Sequence, residues 1–138
     1  MHRGRLNATV GLAAMALFRV YGFLLIYLRD FHPDKLAWIA GYSDGVHFEA
    51  RLAHVHGNLF ALLNLALAFV LARLEGAVRL RRAVAVLGLA GLLMPLGILA
   101  EIYLHFPPLL VIVGALAMTV AVALAAAAAW IGWPQTSY

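Results

Sequence analysis

Apolar residues fill four long stretches of this chain with few interruptions, while polar residues gather between them and toward one set of their ends. The stretches cover residues 7–28, 48–74, 82–104 and 109–131. Crossing a hydrocarbon core about 30 Å thick takes roughly 20 helical residues, so each stretch is long enough. Backbone groups in lipid must bond within their own segment, which makes the spans helices. The pattern predicts an all-α integral membrane protein in which residues 1–138 form a single four-transmembrane-helix domain, multi-pass in the inner (cytoplasmic) membrane. The first stretch is too long for a secretory signal and lacks a polar cleavage region, so it reads as a true span.

The interruptions place the remaining elements. The connection 29–47 is the longest, and Pro33, Gly41 and Gly45 break it. Between those breakers, Lys35–Ala40 has the length of one short interfacial turn, with Trp38 at the headgroup level. Pro95 lies mid-span, where a missing N–H kinks a helix and often makes room for a cavity. Phe106-Pro107-Pro108 forces a tight hairpin, and the last span is polar only at Thr119. Its Gly114 and the alanine run 123–129 offer small-residue packing surfaces, and Trp130 and Trp133 mark a membrane interface.

Composition sharpens this picture and removes several function classes. The chain has 138 residues, 65% hydrophobic and 12% charged, with a mean hydropathy of +0.94. Its net charge of +4 comes from basic residues at helix ends, so no nucleic-acid partner is expected. Arg3, Arg5, Arg73, Arg79, Arg81 and Arg82 lie on one side; Arg29, Lys35 and Arg51 lie on the other, beside Asp30, Asp34, Asp44 and Glu49. The positive-inside rule puts both termini in the cytoplasm, N-in/C-in. The absence of cysteine rules out disulfides, thiolate metal sites and cysteine nucleophiles.

The second span carries the chemistry. At about 100° per residue, His47, Arg51, His54 and Asn58 fall on one narrow stripe, with Glu49 and His56 nearly opposite. A polar face on both sides of a membrane helix calls for interfacial placement or a homo-oligomer, and Gly57 and Ala61 would let a neighbouring helix approach closely. Arg19 is the charge nearest the middle of a span; it either pairs with Glu101 or backbone carbonyls inside the bundle, or binds an anionic group such as a cofactor carboxylate. Glu101, Tyr103 and His105 end the third span, with Gly97, Glu101 and His105 on one face. Histidines in an apolar bundle without cysteine suit iron porphyrin, zinc or copper. Haem is favoured because one histidine suffices as axial ligand and Arg19 or Arg51 can pair with its propionates. Zinc is the alternative, with His54, His105 and Glu101 as ligands. Two further readings stay open: a bis-histidine cytochrome b pairing His54 with His56 or His105, and a metal-ion or small-molecule carrier.

The run Arg51-Leu-Ala53-His54 through Ala66-Leu-Ala68-Phe69-Val70-Leu71 resembles the second membrane helix of styrene oxide isomerases. The end of the third span, Ile102-Tyr103-Leu104-His105-Phe106, is similar to the segment that carries the family's substrate-site tyrosine, which falls on Tyr103. The resemblance implies a trimer binding haem b through one axial histidine, His54. It also implies a ferric iron acting as Lewis acid on an epoxide oxygen, with ring opening and a hydride shift to the aldehyde, on a small apolar substrate entering from the membrane lipid. The family's substrate-positioning asparagine falls on Phe60; Asn58 and Asn64 are nearby on different helical faces, and Asn58 is the candidate to act beside Tyr103. His56 stands where the family carries a small residue and is the candidate to reach the cofactor of a neighbouring subunit.

Overall fold

A computed structural model describes residues 4–74 and 78–132; Arg3, the link residues 75–77 and Trp133 lie outside them. The described residues form α1 (Arg5–Asp30), α2 (Lys35–Ala40), α3 (Gly45–Arg73), α4 (Val78–Gly91), α5 (Leu93–Leu104) and α6 (Leu109–Gly132). No strand occurs among them. Four helical segments are long and apolar enough to cross a membrane: Arg5–Asp30, Gly45–Arg73, Val78–Leu104 and Leu109–Trp130. The apolar stretches located these spans, but the helices begin earlier, at Arg5, Gly45 and Val78, because hydropathy marks the lipid-embedded portion and a helix continues into polar residues beyond it. The short turn α2 forms over Lys35–Ala40 as the breakers predict.

Pro95 splits the third span. Without an N–H it cannot donate to the Gly91 carbonyl, and the backbone tightens at Leu92, whose N–H bonds to Leu89 O at 3.1 Å before the helix resumes at Leu93. At this kink α5 and α6 approach closely. A Cβ at Gly114 of α6 would collide with the backbone of Leu93 and Met94, and one at Gly91 would lie 2.6 Å from Met118 Cε. Absence of a side chain at Gly114 is what lets two backbones meet there.

α3 is the hub, packed on α1 along one side and on α4 and α5 along the other, with α6 closing against α4 and α5. The antiparallel register of α1 on α3 can be read from close approaches: Gly11 against Ala61 and Asn64, Phe18 against Gly57, and Gly22 against His54. Gly57 and Ala61 are thus occupied by α1 of the same chain, not by a neighbouring subunit. The apolar core consists of Phe60, Leu67, Leu71, Val84, Leu92, Met118, Ala121 and Ala125. α1 buries only Asn7, Gly11 and Phe18, so most of its circumference faces outward.

A polar pin holds α1, α3 and α4 together near the end that carries the chain's first residues. Asn7 Nδ2 donates to Asn64 Oδ1 at 2.9 Å and to Ala85 O at 3.0 Å; Asn64 Nδ2 donates to Phe60 O at 3.0 Å and to Gly88 O at 2.8 Å. Both amides are buried, at 1% and 0% exposure. In a bundle whose helices gain little from hydrophobic burial, such interhelical bonds fix register.

Candidate functional site

At the opposite end of the bundle, the α1–α3 connection folds onto α3 through aromatic residues. His47 is buried, stacked on Trp38 with centroids 4.5 Å apart, and its Nδ1 lies 2.7 Å from Trp38 O. Tyr42 meets His47 edge-on. Arg51 closes the assembly by donating to Tyr42 O at 3.0 Å, its guanidinium 3.7 Å from the centre of the Tyr42 ring. Two members of the predicted polar stripe, His47 and Arg51, therefore anchor a loop.

One turn deeper, His54 differs from every other described histidine in the spans. Neither of its ring nitrogens has a hydrogen-bond partner among the described residues, and Nδ1 is sealed from solvent. His56 is satisfied on the opposite side of α3, with Nδ1 2.9 Å from Leu52 O and its ring edge-on to Phe60. His32 Nδ1 accepts from Asp34 N–H. His105 ends α5 in the left-handed region at φ 53, exposed, its N–H donating to Glu101 O at 3.2 Å. An orphaned buried polar atom costs about 1–3 kcal/mol, which a ligand on the His54 ring would offset.

Two adjacent residues of α1 flank that ring. Gly22 lets α1 press against it, and Tyr21 lies beside it with ring centroids 6.4 Å apart. The Tyr21 hydroxyl is 3.2 Å from the Tyr103 hydroxyl, so α1 carries the link from His54 to the end of α5. Tyr103 is 52% exposed, which leaves the phenol pair open to the side of the bundle. Asn58 Nδ2 donates to the His54 carbonyl at 2.9 Å, while its Oδ1 is buried without a partner. The sequence reading missed Tyr21 and Gly22; the available signal was a phenol and a glycine adjacent in the apolar first span, one turn from Arg19.

Arg19 departs from expectation. It is exposed on α1 and has no hydrogen-bond or ion-pair partner among the described residues. The pairing of Arg19 with Glu101 is absent, and Glu101 keeps Oε1 buried without a partner. Glu101 shares a face of α5 with Gly97, and Gly97 packs on Leu110 and Val111 of α6, whereas His54 packs on α1. Among the described residues, no three histidine, aspartate, glutamate or cysteine side chains come together as a metal-ligand set, so the zinc arrangement of His54, His105 and Glu101 is not assembled. The ring in contact with His54 is that of Tyr21, not of a second histidine.

No protein-family model, curated protein or solved structure matches this chain.

Proposed function

We propose that this chain is a haem b-binding protein of the inner membrane, with His54 as axial ligand, that isomerises a small apolar epoxide to a carbonyl compound. One observation carries the reading. His54, the unbonded histidine, and Tyr103, nearly fifty residues away in sequence, share a site through Tyr21, and these are the two positions on which the resemblance to styrene oxide isomerases rests.

The donor set suits the group. An imidazole whose nitrogens have no hydrogen-bond partner among the described residues is the kind of ligand that haem takes, and the ring beside it is that of Tyr21 and not of a second histidine. Haem iron in its ferric form supplies a Lewis acid for an epoxide oxygen. Gly22 and Tyr21 hold the imidazole in place, and the Asn58 amide, tied to the His54 carbonyl, stiffens the same turn of α3. Tyr103 donates from its hydroxyl to an oxygenated substrate, with Tyr21 orienting that hydroxyl. The sideways opening at Tyr103 favours entry of an apolar substrate from lipid.

A cation in mid-span without a partner is costly against hydrocarbon. The exposed Arg19 therefore favours a homo-oligomer, in which the guanidinium meets a cofactor carboxylate or an acceptor of a neighbouring copy. The test is conversion of an aryl epoxide by haem-loaded protein in detergent or nanodiscs. Aldehyde is expected as product without added reductant; its absence with haem fully loaded would refute the isomerase assignment.

A further inference from the structure

A second site lies above the first, at the mouth of the α1–α3 groove. It is a cavity of about 220 Å³ lined by Leu25, Ile26 and Arg29 of α1, Tyr42 of the connecting loop, and His47 and Arg51 of α3. Its polarity is graded. Leu25 and Ile26 of α1 lie one turn toward the middle of the span from Arg29, where α1 ends at Asp30, and Arg51 comes in from α3.

The charges at the rim set the sign of an occupant. Arg29 is held by Asp30, Nε to Oδ1 at 2.9 Å and a terminal nitrogen to Oδ2 at 2.7 Å. Lys35 Nζ also donates to the Asp30 backbone carbonyl at 3.3 Å, so the rim sets the cations of Arg29, Arg51 and Lys35 against the one carboxylate of Asp30 and is net positive. Arg51 spends one donor on Tyr42 O and Arg29 spends two on Asp30, so both retain N–H groups. His47 already uses Nδ1 on Trp38 O and serves as a wall.

We infer that this groove binds the phosphodiester headgroup of an anionic membrane lipid, with Arg29 and Arg51 on the phosphate and Leu25 and Ile26 along the acyl chain. A phosphodiester carries negative charge next to a hydrocarbon, which suits both the positive rim and the apolar wall beside it. Guanidinium forks suit phosphate oxygens, and a span end is the depth at which lipid phosphates lie. The bound headgroup ties α1 to the aromatic loop that covers α3. Inorganic phosphate shares the recognition chemistry but lacks the chain that would use Leu25 and Ile26.

Native mass spectrometry of the full, haem-loaded chain in detergent tests this, with phosphatidylglycerol, phosphatidylcholine and inorganic phosphate as separate additions. One phosphatidylglycerol per chain should be retained in preference to phosphatidylcholine and should resist displacement by excess inorganic phosphate. Arg29→Gln should weaken retention at least about tenfold while leaving the haem spectrum unchanged, since Arg29 bonds only to the exposed Asp30. Arg29→Lys should restore part of it. Equal retention of the two lipids, displacement by inorganic phosphate, or unaltered retention in Arg29→Gln with native helical content would each overturn the lipid site.

Discussion

Replacing Gly22 with alanine separates the stability of the bundle from the function of His54. The new Cβ would lie 2.6 Å from His54 Cε1 and 3.3 Å from both ring nitrogens. Carbon atoms rest about 3.5–4.0 Å apart, so the ring has to move by about 1 Å. The ring is the free end of a side chain, and turning it off its rotamer costs about 0.5–1.5 kcal/mol. Alanine in place of glycine in a helix interior returns roughly 1 kcal/mol. The two nearly cancel, so the unfolding midpoint in a denaturing detergent titration should stay close to that of the parent protein. Haem affinity should not. Misplacing a positioned group by about 1 Å can cost up to ~100-fold, and a loss of at least about tenfold, or ~1.4 kcal/mol, is expected when apoprotein is titrated with haem and followed at the Soret band. Unchanged affinity and spectrum in a folded Gly22→Ala protein would refute the idea that α1 positions the His54 ring for a ligand.

Asn64→Ala removes three hydrogen bonds of 2.8–3.0 Å from the buried amide pin. At about 0.6 kcal/mol each within a membrane protein, it should destabilise the fold by about 2 kcal/mol before any cavity cost, and an unaltered unfolding curve would contradict this. Tyr103→Phe should retain haem while lowering turnover by about 10- to 100-fold, because it removes only the hydroxyl that orients substrate; full activity would remove Tyr103 from the site. Arg19→Leu distinguishes its surroundings by sign. If the side chain meets a carboxylate, the variant loses haem affinity or oligomer stability. If it faces lipid, leucine instead stabilises the chain by about 2.5–3.5 kcal/mol, and the oligomer reading fails.

The spans, the short α2 turn and the break near Pro95 were legible because each depends on local properties: apolar run length, breaker residues and a missing donor. The stripe on α3 was legible as well, since helical period alone sets His47, Arg51, His54 and Asn58 on one side. What each of them does was not legible, because partners come from other helices. His47 and Arg51 look equivalent to His54 in sequence, yet an aromatic loop satisfies the first two and leaves the third free. Asn7 and Asn64 gave no sign of pairing, since their meeting depends on the register of α1 against α3 and of α3 against α4. Arg19 was expected inside the bundle on the cost of its charge, but α1 packs through Gly11, Phe18 and Gly22 and turns Arg19 outward. The kink at Pro95 was legible, but the close approach of α6 to it at Gly114 was not, since it depends on packing between distant segments.

The central claim is that His54 is the sole protein ligand to a haem iron. Absorption spectra of the purified protein, oxidised and reduced, beside His54→Ala test it most directly. The account predicts a Soret band and a high-spin ferric spectrum in the parent protein, with no haem retained by His54→Ala. A low-spin bis-histidine spectrum, no haem binding by the parent protein, or a normal Soret band in His54→Ala would contradict it.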